Sequence, residues 1–154
     1  MLGARDRRNF QGMIGTPVPP FERAIVGDLM RPGILSCHAD AELTEVADTM
    51  ATHRVHAVVV RGMPAPAARD DAEASGLISD VDLVRAVADE RHRTAGGIAR
   101  TDGITIDPQT PLVEATRVMA ESGTAHLIVV RDGEPVGMVS GLDIAAAIAW
   151  GGGA

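Results

Sequence analysis

The sequence predicts an α+β protein of the α/β sandwich-like type, built from two tandem β-α-β-β-α repeats. The stretch "GLISDVDLVRAV" (76–87) returns as "GMVSGLDIAAAI" (137–148), and a helical pattern followed by a β-rich run precedes each copy. Self-similarity of this kind is the signature of a duplicated structural unit. A half of this size buries too little surface alone, so we expect the repeats to pack through their sheets with pseudo-two-fold symmetry.

The first repeat contains two helix patterns and two strand patterns. Apolar residues in "AELTEVADTMATH" (41–53) recur on one helical face, and Asp40 is in position to cap the start of that helix. The β-branched run "VHAVVVRG" (55–62) predicts a buried strand, and "SGLIS" (75–79) predicts a second one. The segment "DVDLVRAVADE" (80–90) is the predicted closing helix.

The second repeat follows the same order. The pattern "LVEATRVMAESG" (112–123) copies the helical face of the first repeat. The segment "AHLIVVRDGEPVGMVS" (125–140) predicts a β-hairpin that turns at Asp132 and Gly133. The apolar "GLDIAAAIAW" (141–150) is the predicted closing helix.

The Pro-rich stretch "GTPVPP" and the absence of any period before it indicate a flexible N-terminal segment. We therefore expect an N-terminal tail over 1–24, repeat 1 over 25–90 with a long loop at 62–74, a linker at 91–97, repeat 2 over 98–150, and a C-terminal tail over 151–154.

Composition excludes several classes of function. A net charge of −7 argues against a phosphate-backbone footprint, and two Phe, one Trp and no Tyr offer few stacking platforms for nucleic acid. The single cysteine, Cys37, indicates a reducing compartment. No apolar run approaches the length of a membrane span, and the N-terminus lacks the apolar region of a signal peptide. We expect a cytoplasmic protein with neither membrane nor nucleic-acid partners.

Two Ser-x-x-Asp pairs follow the repeated glycine: Ser79 with Asp82, and Ser140 with Asp143. The spacing fits a capping box, in which serine caps a helix and the acidic residue accepts from the cap backbone. It equally fits a ligand site, because a helix N-terminus offers N–H groups to a phosphate and a carboxylate accepts from a diol. Both interpretations remain open at this point.

The β-rich runs "VHAVVVR" and "AHLIVVR" suggest that His56 and His126 occupy equivalent positions. They are either ordinary sheet histidines or members of two symmetric sites. His53 and His56 are three residues apart, but they have no cysteine or acidic partner at ligand spacing. We therefore expect no metal site and no cofactor.

The duplicated pattern, the segment "DLMRPG" and the two Gly-apolar-apolar-Ser-x-x-Asp motifs together resemble a tandem pair of CBS domains, a Bateman module, over about residues 25–150. Here the pair would be of the stand-alone type. The resemblance implies an adenosine-containing ligand, with AMP or ATP foremost, in clefts between the repeats, and it implies a homodimer. It also implies that Asp82 and Asp143 hold ribose hydroxyls, while Ser79 and Ser140 lie near the phosphate.

Further site residues are implied by the same resemblance. His56 and His126 would face the phosphates, where relatives often carry arginine. Main-chain groups of the first strand of each repeat would contact the adenine. The residues concerned are Ile34, Ser36, Thr105, Ile106 and Asp107.

The two sites are expected to differ. Arg85 either pairs with Asp82 on the helix face or contacts phosphate, and its counterpart is Ala146. Asp80 is likewise matched by Gly141. A carboxylate near a phosphate is unfavourable, so we expect the site of Ser140 and Asp143 to accept a polyphosphate more readily.

The sequence and the resemblance together predict a regulatory module that binds an adenine nucleotide and signals to a protein partner, whose identity stays open. The alternative is a ligand-free dimerisation or interaction module, in which the alanine-rich helices form the dimer surface. An enzyme would need a nucleophile and base, or a metal cluster, converging on one site, and the sequence offers neither.

Overall fold

The structure is a computed structural model that describes residues 18–64, 74–89, 94–102 and 104–151. Within these residues the chain forms helices and two β-sheets, which confirms the predicted α+β class. In chain order the elements are α1 (Val26–Leu29), β1 (Arg31–Pro32), β2 (Ser36–His38), α2 (Leu43–His53), β3 (Ala57–Met63), β4 (Ala74–Ser79), α3 (Asp80–Ala88), α4 (Ala95–Ile98), β5 (Thr105–Ile106), α5 (Leu112–Ser122), β6 (His126–Arg131), β7 (Glu134–Ser140) and α6 (Gly141–Trp150).

The chain divides into two compact units. One is the continuous segment 34–104, and the other combines 18–33 with 105–151 among the described residues. None of the helices described is long and apolar enough to cross a membrane.

The unit of residues 34–104 contains a three-stranded sheet in the order β2-β3-β4. Strand β2 runs parallel to β3, and β3 pairs with β4 in the antiparallel sense. Because β-branched side chains fill a pleated face well, Val58 and Val60 of β3 are fully buried. They pack in one cluster with Val46 and Met50 of α2 and with Ala95 of α4.

The other unit contains a four-stranded sheet in the order β1-β7-β6-β5. The predicted hairpin is present between β6 and β7, and its turn residues Asp132 and Gly133 have φ values of 52° and 79°. These left-handed angles match the primed turn that a two-residue hairpin requires. Leu127 and Val129 of β6 lie in the apolar core, which also contains Leu112 of α5.

The short helix at the start of each CBS-like half packs into the unit that holds the rest of the opposite half. Helix α4 follows repeat 1, yet its Ala95 N–H donates to the Ala41 carbonyl, which lies ahead of α2, over 2.8 Å. Likewise the Val26 N–H of α1 donates to the Thr110 carbonyl, ahead of α5, over 2.8 Å. The exchange is therefore symmetric: residues 18–33 complete the unit of repeat 2, and residues 94–104 complete that of repeat 1.

Several predicted boundaries are wrong in the described residues. The tail prediction fails over 18–24, since Val18 and Ala24 are buried in the core. The strands flanking the predicted loop 62–74 reach Met63 and Ala74, which pair with each other. The predicted linker 91–97 contains the start of α4 rather than a simple connection.

Helix α2 begins one residue after Glu42, which occupies the N-cap position without a side-chain hydrogen bond. The predicted cap, Asp40, instead lies in a turn where its backbone N–H donates to His38 Nδ1 over 3.1 Å. The predicted features of residues 1–17, 65–73, 90–93 and 152–154 lie outside the described residues.

Candidate functional site

The first Ser-x-x-Asp pair forms a complete capping box at the start of α3. The Ser79 backbone N–H and hydroxyl donate to Asp82 Oδ2 over 2.9 and 3.0 Å. The Asp82 backbone N–H in turn donates to Ser79 Oγ over 3.3 Å. One carboxylate oxygen, Oδ2, is therefore committed to the cap.

The second pair repeats this geometry at the start of α6. The Ser140 backbone N–H and hydroxyl donate to Asp143 Oδ2 over 2.8 and 3.0 Å, and the Asp143 N–H donates to Ser140 Oγ over 3.4 Å. The capping interpretation of both motifs is thus confirmed. Because each cap uses only Oδ2, the other oxygen, Oδ1, is the one left to interact with a neighbouring group or a ligand.

An arginine that the sequence analysis did not single out lies beside each Oδ1. Arg100 Nε is 3.6 Å from Asp82 Oδ1, and Arg31 Nε is 3.7 Å from Asp143 Oδ1. The signal for this pair was present in the sequence. Both arginines precede the first strand of a repeat at matching positions, in "MRPGIL" and "ARTDGI".

The glycine of each motif makes room for the chain segment that carries the arginine. A Cβ placed on Gly137 would lie 2.5 Å from the Arg31 carbonyl oxygen. A Cβ placed on Gly76 would lie 2.9 Å from Ala99 Cβ and 3.4 Å from the Arg100 carbonyl oxygen. The motif glycine is therefore explained by a close approach of backbone, which only a residue without a side chain permits.

The two carboxylates differ in burial. The Asp143 side chain is only 1% exposed and its Oδ1 has no hydrogen-bond partner, whereas the Asp82 side chain is 11% exposed. Burial raises the pKa of the Asp143 carboxyl above its usual value, against the opposing effects of the Ser140 donors and the Arg31 guanidinium. The site of the second repeat thus holds the more desolvated acceptor.

The proposed equivalence of His56 and His126 is wrong. Ala57 pairs with Ser79, and His126 pairs with the equivalent Ser140. His126 therefore corresponds to Ala57, and His56 corresponds to Ala125. Because consecutive side chains of a strand point to opposite faces, a shift of one residue removes the symmetry on which the pairing depended.

The two histidines also have different surroundings. The exposed His56 lies just before β3, and its Nδ1 is 2.9 Å from Asp80 Oδ2. His126 is the half-buried first residue of β6. Asp80 thus already has a partner. The first site therefore contains a histidine–aspartate pair where the second site has Gly141.

The predicted adenine-contacting residues lie on the first strand of each repeat or next to it. Ser36 in β2 and Thr105 in β5 pair with equivalent positions, Val59 and Ile128. The other predicted residues of the two repeats are not equivalent to each other. With Ser36 matched to Thr105, the counterpart of Ile34 is residue 103, which lies outside the described residues. Ile106 is buried, and Asp107 is exposed, with its Oδ1 accepting from the Gln109 N–H over 2.7 Å.

Arg85 is exposed on α3, whereas its counterpart Ala146 is buried in the core. The Asp82 carboxylate forms an ion pair with Arg100. Arg100, and not the expected Arg85, is therefore the cation beside Asp82.

Cys37 is half-buried, and burial together with the Glu45 charge raises the pKa of its thiol. A surface depression of about 490 Å³ next to it contains none of the predicted site residues; it is lined by Cys37, His38, Asp40, Ala41, Glu45 and Thr49. Across the described segments, no three His, Cys, Asp or Glu side chains converge in a way that could hold a metal ion.

The family model of the CBS domain matches residues 26–89 and 95–149 of this chain. The protein therefore belongs to the CBS domain family and carries a tandem pair of these domains. The match to two repeats agrees with the duplicated Ser–Asp motif and with the strand pairing of the two units.

Similar proteins include the hypoxic response protein 1 of Mycobacterium tuberculosis, 29% identical over 122 residues that cover 77% of this chain and 80% of that protein. A solved structure of hypoxic response protein I with two coordinated zinc ions is 26% identical, covers 79% of this chain and 97% of that one, and gives a TM-score of 0.63. The CBS domain pair of protein MJ0100, solved with 5′-methylthioadenosine and S-adenosyl-L-methionine, is 20% identical, covers 79% and 97% of the two chains, and gives a TM-score of 0.67.

A longer relative is the uncharacterized protein MJ1225 of Methanocaldococcus jannaschii, 24% identical over 145 residues. The match covers 93% of this chain but only 46% of that protein. This chain therefore spans less than half the length of that relative.

Proposed function

We propose that this protein is a regulatory module that binds an adenosine-containing nucleotide, AMP or ATP foremost, at the two Ser–Asp motifs. The observation that carries the proposal is the duplicated cap in which Oδ2 of Asp82 and of Asp143 is held by serine while Oδ1 is not. A carboxylate oxygen at a helix N-terminus is a suitable acceptor for a ribose hydroxyl. The same helix end offers backbone N–H groups to a phosphate.

The solved CBS pair with bound 5′-methylthioadenosine and S-adenosyl-L-methionine supports the ligand class, because both molecules contain adenosine. The proposal is non-catalytic: occupancy alters the relative free energies of two arrangements of the protein, and a protein partner responds to them. A ligand shifts such an equilibrium only through its difference in affinity for the two states. A cytoplasmic location belongs to the proposal and is supported by the single cysteine.

We further propose a homodimer that buries the exposed apolar faces of α3 and α6. Val81, Val84 and Val87 on α3 are 52%, 66% and 55% exposed, and Leu142 and Ile148 on α6 are 62% and 66% exposed. Large apolar side chains at helical spacing on a solvent face favour burial against another surface. A second copy offers the same two faces, so the contact is self-complementary.

A thermal-shift panel tests ligand binding, with adenosine, AMP, ADP, ATP and S-adenosylmethionine as probes and GMP as the base-specificity control. A ligand present at 100 times its dissociation constant adds about 2.7 kcal/mol to the free energy of unfolding. We expect at least one adenosine compound to raise the melting temperature while GMP does not. Mass spectrometry of small molecules retained under native conditions identifies a ligand that the panel omits.

Matched Asp82→Ala and Asp143→Ala variants locate the ligand. Asp80 adds a carboxylate to the first site, where it disfavours a polyphosphate, whereas the second site has Gly141 at the matching position. We therefore expect Asp143→Ala to weaken ATP binding more than Asp82→Ala does. The reverse order would overturn the assignment of polyphosphate to the second site. Binding that both variants retain at full strength would overturn the role of the motifs.

A ligand-free interaction module is the second candidate, and the complete capping boxes favour it. In that case the serine and aspartate stabilise helix ends, and the apolar faces of α3 and α6 carry the whole function. A panel in which no adenosine compound shifts the melting temperature, together with a stable dimer, would select this candidate. A phosphate-release assay with ATP separates both from an enzyme, since neither module releases phosphate.

A further inference from the structure

Each motif carboxylate faces an arginine from the N-terminal segment of the opposite repeat. Arg31 lies near the start of repeat 1 but pairs with Asp143 of repeat 2, and Arg100 lies near the start of repeat 2 but pairs with Asp82 of repeat 1. The two Nε–Oδ1 distances, 3.7 and 3.6 Å, differ by only a tenth of an ångström. The contact is therefore a repeated feature of both units.

Backbone pairing determines where each arginine lies. Arg31 pairs with Met138 in the β1–β7 ladder, and Arg100 forms a bridge with Leu77 of β4. Met138 and Leu77 are equivalent positions, each two residues before the capping serine. The arginines are thus held beside the carboxylates by main-chain hydrogen bonds, independently of the ion pair itself.

At Asp143 the arginine is near the carboxylate without satisfying it. Separations of 3.6 and 3.7 Å exceed hydrogen-bond length, so the attraction is mainly Coulombic. Oδ1 of Asp143 has no hydrogen-bond donor, although it is buried. A ligand hydroxyl at hydrogen-bond distance would supply the missing donor, and desolvated acceptors gain most from such a bond.

The guanidinium is the more exposed partner of each pair. The Arg31 side chain is 44% exposed and that of Arg100 is 31% exposed, whereas the two aspartates are 1% and 11% exposed. The capping serines hold the aspartates in place from the other side. A diol that approaches Oδ1 therefore has to displace the arginine and not the carboxylate.

We propose that Arg31 and Arg100 are internal competitors of the ligand: each guanidinium neutralises the Oδ1 that a ribose hydroxyl must reach, so it lowers the affinity for the nucleoside part. This inference rests on the proposed nucleotide-binding function. Binding then releases an arginine attached to the segment exchanged between the repeats. The displaced side chain gives each unit a direct means of reporting that its site is occupied.

Isothermal titration with adenosine tests the proposal, because adenosine carries the diol and has no phosphate that could attract a guanidinium. The variants are Arg31→Met and Arg100→Met, which keep an apolar stem and remove the charge. We expect each variant to bind adenosine about threefold more tightly, the size of effect typical of a partly exposed ion pair. Circular dichroism and urea unfolding verify that the variants are folded.

The matched control is Arg117→Met, which removes an exposed arginine that is paired with Glu114 on α5 at 3.0 Å and belongs to neither motif. We expect its adenosine affinity to equal that of the unaltered protein. A second measurement needs no variant: adenosine affinity of the unaltered protein should rise with NaCl concentration, since salt screens the competing ion pair. In the Arg→Met variants the same salt series should be flatter.

Unchanged or weaker adenosine binding by both folded Arg→Met variants would overturn the competitor role while leaving the proposed function intact. The absence of adenosine binding in the unaltered protein and in all variants would overturn both. If the Arg→Met variants do not fold, a flat salt series in the unaltered protein overturns the competitor role by itself.

Discussion

At the scale of single residues, Ser79 and Ser140 each supply two donors to a carboxylate and accept one backbone N–H. Two of these three hydrogen bonds satisfy backbone N–H groups that a helix end otherwise leaves unpaired. The same bonds orient Oδ1 of the aspartate away from the cap. The capping role of the serine–aspartate pair and its proposed ligand-binding role therefore depend on the same arrangement of hydrogen bonds.

We expect Ser79→Ala and Ser140→Ala each to lower the free energy of unfolding by about 1 kcal/mol, the usual effect of losing an N-cap side chain. The effect should be larger for Ser140→Ala, because the partner Asp143 is buried and loses one of its donors. Urea unfolding measures both. The controls are Ser79→Thr and Ser140→Thr, which retain the hydroxyl; a loss as large in the Thr variants as in the Ala variants would contradict the capping role.

The buried carboxyl of Asp143 gives a pH-dependent contribution to stability. Its pKa is raised in the folded state, so between the ordinary value of 3.8 and the raised value the native state binds more protons than the unfolded state. Stability due to this group is therefore lost as pH rises through that window. It is present at lower pH, where the carboxyl is protonated in the folded protein.

We expect the stability of the unaltered protein relative to Asp143→Asn to fall as pH rises above 3.8 and to level off above the raised pKa. Asparagine keeps an oxygen that can accept from Ser140 and carries no charge to desolvate. Chemical unfolding across a pH series measures the difference. A difference that does not vary with pH, or that grows with pH, would contradict the burial of an ionisable carboxyl at this position.

At the scale of elements, strand β7 and its neighbour β1 approach so closely that Gly137 has no space for a side chain. The nearest atom to a Cβ there is the Arg31 carbonyl oxygen, a backbone atom held in the β1–β7 ladder. At Gly76 the nearest atom is the Ala99 side chain. The motif glycine thus allows each strand to pack closely against the segment that comes from the other repeat.

We expect Gly137→Ala to destabilise the protein by about 2–3 kcal/mol, because overpacking against backbone forces β1 away from β7. Gly76→Ala should have a smaller effect, since the backbone carbonyl at this site is 3.4 Å from the added Cβ. Gly141→Ala is the control: its Cβ would lie 3.5 Å from Ala125, an ordinary contact. Equal unfolding free energies for the Gly137 and Gly141 variants would contradict the close approach.

Most elements could be predicted from the sequence because helix and strand periods are local properties. The apolar spacing of α2 and α5 and the turn at Asp132 and Gly133 predicted their elements within a few residues. The Ser–Asp caps were also predictable, since a capping box lies within four consecutive residues. The ligand role of these motifs stays a prediction.

Two features could not be obtained from local pattern. The runs around His56 and His126 look alike, but strand register depends on pairing with a partner strand, and the pairing shifts them by one residue. The exchange of α1 and α4 was also missed, because two similar repeats offer each short helix two similar docking places. Arg31 and Arg100 therefore escaped notice, since their partners lie in the opposite repeat.

At the scale of the whole molecule, the proposed homodimer depends on the exposed apolar faces of α3 and α6. We expect the double variant Val84→Glu, Ile148→Glu to be a folded monomer under conditions where the unaltered protein is a dimer, because a buried carboxylate is strongly unfavourable. Sedimentation velocity measures the change. Thr52→Glu, on the exposed side of α2, should remain dimeric; identical sedimentation of all three proteins would contradict the proposed surface.

The exchange of segments predicts which fragments fold. Residues 34–104 form a continuous unit that includes α4 and Arg100, so we expect this fragment to unfold cooperatively in urea. The repeat-based fragment 25–90 lacks α4 and carries α1 and β1 without their partners, so it should show no cooperative transition. Two fragments with the same behaviour would contradict the division into these units.

The exchange also sets an order of events on the ribosome. Residues 18–33 are synthesised before residues 34–104, but the core that receives Val18, Ala24 and Leu29 is not available until residues 105–150 have been made. We expect residues 34–104 to fold in the meantime, because they form a compact unit of their own. The nascent chain therefore holds residues 18–33 as an unpaired apolar segment while residues 34–104 are made, and the second unit can close only after α6 has emerged.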